Sequence, residues 1–186
     1  MNIHPLFVHF PIALLVVYTF LEVGSLLVLG ILRVFRREGP SVGVLLSGKS
    51  FHDIKAFLVV MGTALAFVTL QTGEWAEHAL RTTTSEGVRF ATSSSPFRLI
   101  EMHSSFATAS VAVFTILAVA YICRLAWFRK FKIFNFVSEL VLNPWIRVIL
   151  ALVGAVLILI TGALGGAITY GPTTDPFVSM IYGWFF

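Results

Sequence analysis

The sequence predicts an all-α integral membrane protein, a single up-down bundle of four helices with both termini on the outer, periplasmic side. Three observations carry that expectation. Of 186 residues, 58% are apolar and only 12% charged, and the mean hydropathy is +0.91, well outside the composition of soluble globular domains. Four apolar runs, 11–32, 56–70, 106–126 and 148–168, approach or reach the roughly 20 residues that a helix needs to cross a bilayer. Lysine and arginine are distributed unevenly: Arg33, Arg36, Arg37, Lys49 and Lys55 flank the first connection and Arg124, Arg129, Lys130, Lys132 and Arg147 the third, against Arg81, Arg89 and Arg98 around the second. Short loops rich in these residues stay in the cytoplasm, so the net charge of +4 is a topology signal, with nothing to suggest nucleic acid.

The first span is expected over 8–34. It lacks a basic leader and a small-x-small cleavage site and is far too long for a signal peptide, so it reads as a retained helix. Pro5 and Pro11 suit its first turns or a kink just inside them. Residues 39–48 form a short cytoplasmic loop, and Ser50 or Asp53 can cap the second span, 53–78. That span is long enough only if it continues through Thr72 and Gly73 into Trp75. The polar stretch 81–95 is an external loop, after which Ser95 and Pro96 form a cap and first residue for the third span, 98–126. Basic and aromatic residues between 129 and 145 (Lys130, Phe131, Lys132, Phe134, Phe136) predict a short helix on the cytoplasmic surface. The fourth span, 146–170, carries Gly154, Gly162, Gly165 and Gly166, small residues that admit a neighbouring helix. Tyr170, Tyr182, Trp184 and the terminal phenylalanines read as an aromatic belt or a lid on the outer surface. No composition break divides 1–186, so one domain is expected.

Four of the five histidines fall at one end of these spans: His9 opens the first, His78 closes the second, His103 opens the third, and His4 joins them from the N-terminus. Counting back to Arg33, Lys55 and Arg124 at 1.5 Å per residue puts His9, His78 and His103 roughly 36, 35 and 32 Å from the cytoplasmic ends, so a common depth near the outer interface is expected. His52 lies at the other end, beside Asp53, in a cap or surface role. Ionisable groups at membrane depth are costly and default to function. Glu74, Glu77 and Glu101 share the histidine layer, and Glu22 stands within the first span, where it must be protonated, paired or facing a cavity.

Three readings of the layer compete. Two neutral imidazoles from different helices can ligate a b-type haem among apolar and aromatic side chains, with His9 and His103 as the preferred axial pair and His78 and His4 as alternates or as ligands of a second haem. Glu, Ser104 or Ser105 could orient the rings, and Arg98 could hold a propionate or pair with Glu101. Alternatively, Glu74, Glu77, His78, Glu101 and His103 form a non-haem metal or proton site, although their order departs from the Glu-x-x-His pairs of bundle metal proteins. In the third reading they bond water and lipid headgroups. Cys123 is the only cysteine, which excludes an intramolecular disulfide, covalent haem attachment through CxxCH and a cysteine-ligated iron–sulfur cluster.

His4-Pro5-Leu6-Phe7-Val8-His9-Phe10-Pro11 resembles the HPxxVHFP signature of the bacterial family called domain of unknown function 2231. Thr72-Gly73-Glu74, the histidine of Glu101-Met102-His103-Ser104, and Gly165-Gly166-Ala167-Ile168-Thr169-Tyr170-Gly171 match its later landmarks in order, so that the resemblance spans nearly the whole chain. It implies four membrane helices and recurrent histidines where His4, His9 and His103 stand. Some relatives carry a further histidine where this chain reads Gly171-Pro172-Thr173-Thr174-Asp175-Pro176, which puts that position's role in doubt here.

The resulting expectation is a cytochrome b-like, non-catalytic subunit of a bacterial inner membrane, multi-pass and part of a larger complex. It would pass electrons near the periplasmic face between quinol and a redox partner on one or two noncovalent haems b, with quinone contact in the bilayer. The alternative is a cofactor-free structural or assembly subunit that docks through its small-residue helix and aromatic C-terminus. A transporter or proton channel using Glu22 is the third, weakened by four helices without a visible inverted repeat.

Overall fold

The computed structural model describes residues 4–34, 46, 48–85, 95–124 and 132–186. Helix is the only regular structure among those residues, which contain no strand, and four of the helices are long and apolar enough to span a membrane. They are α1 (His4–Val34), α2 (Lys49–Ser85), α3 (Ser95–Cys123), α4 (Lys132–Val141), α5 (Pro144–Tyr170) and α6 (Pro176–Phe185). The stretch 39–45 of the expected first loop and most of the external loop, 86–94, lie outside the described residues.

Helix α1 packs on α2, α2 on α3, α3 on α5, and α5 returns to α1, closing a four-membered ring. Its core is Leu15, Tyr18, Val59, Phe114, Leu117, Tyr121 and Ala151. Pro11 sits inside a continuous α1; lacking an N–H it cannot bond the Phe7 carbonyl one turn back, and that carbonyl accepts from Thr69 Oγ1 on α2 instead, at 3.1 Å. Helix α2 does run on past Trp75, well beyond its expected end at 78. Two glycines set the closeness of the ring. A methyl group at Gly154 would sit 2.5 Å from Phe114 Cε2, and one at Gly62 would sit 2.8 Å from Leu15 Cδ2, so each admits a partner side chain that alanine would displace. Gly162, by contrast, faces open space and plays no part in close approach.

The surface segment expected over 129–145 contains α4, which leaves Ile133, Phe136 and Leu140 exposed while burying Ser138. Asn143 then caps α5, accepting from Trp145 N–H at 3.1 Å, with Pro144 in the first turn. After a left-handed Gly171 (φ 92°), the Asp175 carboxylate accepts from the N–H groups of Phe177 and Val178 and starts α6. Helix α6 folds back on α5 and closes a second core of Leu99, Ala163, Leu164, Ala167 and Ile181. The aromatic C-terminus, expected as a belt or lid, is a helix that buries Ile181 against α5 and leaves Phe177, Met180 and Trp184 exposed on its outer side.

Candidate functional site

Cross-helix contacts fix the register, and the register corrects the depth of the histidines. In the antiparallel α1–α2 pair, Thr69 Oγ1 donates to the Phe7 carbonyl at 3.1 Å and Glu22 meets Lys55 at 3.2 Å. In α3–α5, Gly154 lies against Phe114 and His103 Nδ1 bonds the Thr161 carbonyl at 2.9 Å. Lys55 is therefore level with Glu22, not with Arg33, which stands eleven residues further along α1. Measured from the shared level of Glu22, Lys55, Tyr121 and Arg147 at 1.5 Å per residue, His9 stands about 20 Å up, His4 and His103 about 27 Å, and His78 about 35 Å. The histidines are a staircase, not a layer. His4 is the α1 histidine at the level of His103.

His103 is the most constructed of them. A carbonyl only accepts, so the ring donates through Nδ1 and, while neutral, carries its lone pair on Nε2. That is the arrangement in which imidazoles ligate metals, with the second nitrogen held by a carbonyl. Gly165 makes room, since a methyl group there would come within 3.1 Å of His103 Cε1. Met102, Phe106, Tyr182 and Phe185 line the adjoining core, with the Phe106 and Phe185 rings 5.2 Å apart. In its donor atom, tautomer and apolar surroundings, His103 fits a haem ligand.

The other expected residues are placed differently. His9 and His78 are exposed on their helices, as are Glu74 and Glu101. Arg98, expected at a propionate or Glu101, lies over the Phe186 ring at 5.2 Å from its centroid. The side chain of His4 lies outside what is described. Among the described residues no group of three His, Cys, Asp or Glu side chains converges as a metal ion would require.

The densest polar constellation stands at the opposite end, on residues that, Glu22 apart, the sequence did not mark as a site. The Glu22 carboxylate is fully buried. Its Oε2 accepts from Arg147 Nε at 2.7 Å and from Lys55 Nζ at 3.2 Å, and its Oε1 accepts from Tyr121 Oη at 2.9 Å. All four ring helices contribute, one residue each. Lys55 Nζ lies 5.0 Å from the Phe51 ring centroid, and the His52 ring stands 4.9 Å from that of Tyr121. Tyr18 sets its edge against both Tyr121 and Phe114. Charge and geometry together make this a four-way tie: one carboxylate, two cations and a phenol, with both oxygens of the acid hydrogen-bonded. Of the alternatives open for Glu22, pairing is the one realised. Lys55 and Arg147 escaped notice because cations at helix ends already had a sufficient explanation in topology.

Residues 1–174 match the model of the family described as predicted membrane protein, DUF2231. The chain belongs to that family. The match covers α1 through α5 of this DUF2231 chain, including His4, His9, Glu22, His103 and Arg147, and it ends two residues before α6 begins. No curated protein and no solved structure matches the chain.

Proposed function

We propose that this DUF2231 chain is a cytochrome b-like subunit of a bacterial inner membrane, carrying electrons near the periplasmic face between the quinol pool and a redox partner in a larger complex. The observation that carries the reading is His103: its Nδ1 is committed to the Thr161 carbonyl, which in the neutral ring leaves the lone pair to Nε2, and Gly165 leaves the ring its space. Helix α1 lies diagonally across the ring and brings two more histidines, His4 at the level of His103 and His9 about 7 Å deeper. His103 with one of these would hold the iron, and Phe106, Tyr182 and Phe185 would supply apolar cover. Bound haem b would contribute one-electron chemistry at a potential tuned by that cover. The lysine and arginine distribution supports the orientation, with the histidine end in the periplasm.

A reduced-minus-oxidised spectrum of the purified protein, with pyridine haemochrome quantitation, tests this. A b-type Soret and α band that vanishes in His103→Ala is expected. Loss in His4→Ala but not His9→Ala, or the reverse, names the second ligand. A featureless spectrum from protein produced with ample haem overturns the reading and leaves the cofactor-free assembly subunit.

A further inference from the structure

One turn beyond the four-way tie, toward the basic end of the bundle, stands a second tier of polar side chains. His52 precedes Lys55 by three residues on α2, and Arg124 follows Tyr121 by three at the end of α3, so each continues the face that carries a member of the tie. The Arg124 N–H bonds the Tyr121 carbonyl at 3.2 Å, and the His52 ring lies 4.9 Å from the Tyr121 ring. The two faces therefore meet, and half-buried His52 lies within electrostatic reach of Arg124, Arg147 and Lys55 together. Asp53 and Glu139, the described acids nearest this tier in sequence, are both exposed, and among the described residues no carboxylate bonds Arg124.

Arg147 links the two tiers. Its side chain is 13% exposed, against 4% for Lys55 and 0% for Glu22, so the guanidinium reaches from the buried acid toward the surface. A guanidinium has five N–H donors. One bonds Glu22 at 2.7 Å and one, on Nη1, reaches the Leu142 carbonyl at 3.5 Å, and the remaining three have no partner among the described residues. The surface around them is apolar. Trp145, two residues before Arg147, is exposed, as are Ile133, Phe136 and Leu140 on α4, which packs against α3 and α5. An exposed tryptophan and an amphipathic helix lying across a bundle mark the boundary between acyl chains and headgroups. The anion that suits this place carries apolar chains of its own.

We propose that Arg124, Arg147 and His52 form a headgroup site for one anionic phospholipid of the leaflet that this end of the bundle meets. The phosphate accepts from the two guanidinium groups, whose planar forks match its oxygens, and from the imidazole N–H. The acyl chains run along Trp145 and the exposed side of α4. Basic pockets between membrane helices take lipid phosphates in this way. The site stands at the opposite end of the bundle from His103 and is independent of whether that residue holds haem.

Native mass spectrometry of the full-length protein in detergent, titrated with dioleoyl phosphatidylglycerol or with dioleoyl phosphatidylcholine, tests it. One phosphatidylglycerol per chain is expected to be retained, at least about tenfold more tightly than the zwitterionic lipid. Arg124→Gln should weaken that retention about tenfold, as the loss of a charge-assisted contact does, while Arg98→Gln, which removes the same charge at the far end, should change it less than about twofold. Arg124 is exposed, so its variant should keep the thermal midpoint of the lipid-free protein. Millimolar inorganic phosphate should displace no lipid. Equal retention of the two lipids, an Arg124→Gln protein that binds like wild type, or equal losses in Arg124→Gln and Arg98→Gln would each overturn the site. Full displacement by inorganic phosphate would overturn the lipid as its occupant and leave a site for a soluble anion.

Discussion

Glu22 spends two oxygens on three donors, and the asymmetry of that arrangement makes a sharp prediction. Glu22→Gln removes the one anion facing buried Lys55 and part-buried Arg147 and is expected to destabilise the protein by about 3–5 kcal/mol, the range for breaking a buried pair from one side. Lys55→Met leaves Glu22 with Arg147 and Tyr121, swaps an ammonium for an apolar chain of similar reach, and should cost less than about 1.5 kcal/mol. Equilibrium unfolding in detergent measures both, and equal losses would contradict the central place of Glu22 among its three donors. From sequence, Glu22 was legible as a group that needed a partner. Which partner was not, because Lys55 and Arg147 carry the same letters as residues that merely anchor helix ends, and only the register of α1 against α2 and α5 separates the two roles. The same register undid the common depth of the histidines: counting from Arg33 assumed that each helix begins its descent at the first cation.

At the level of elements, Gly154 and Asp175 can be tested separately. Gly154→Ala drives a methyl group into the Phe114 ring, and since Phe114 is fully buried the repacking should cost about 1–3 kcal/mol. That cost would be read as a lower thermal midpoint, whereas Gly162→Ala, facing open space, should be neutral or better. Asp175→Ala removes the cap of α6 at a cost of about 1 kcal/mol, and protease should then trim the C-terminus sooner while α1 to α5 persist. The four spans and the position of α4 were written in hydropathy and in the aromatic–basic mixture of 130–136. Helix α6 was not, because ten residues ending in aromatics satisfy an interfacial belt equally well. Its one local signal, Asp175 followed by Pro176, is the cap-and-first-turn pair that had been recognised at Ser95 and Pro96.

For the whole molecule, orientation is the first thing to establish. Cys123 is buried, so native background is low, and cysteines at exposed Glu101 and Arg124 sit at opposite ends of α3. An impermeant maleimide is expected to label Glu101→Cys in intact spheroplasts and Arg124→Cys only after lysis, and the opposite pattern would reverse the topology. The four-way tie also orders the making of the protein. Helices leave the translocon in sequence, so α1 meets the bilayer with Glu22 alone, and α2 follows with Lys55, completing a hairpin whose charges cancel before any other span exists. Tyr121 comes next, and Arg147 arrives last, on the helix that closes the ring. A nascent chain stalled before α5 therefore already holds Glu22 paired with Lys55, and the final span acts as a keystone, delivering the shortest bond to Glu22 only when every other wall of the bundle is standing.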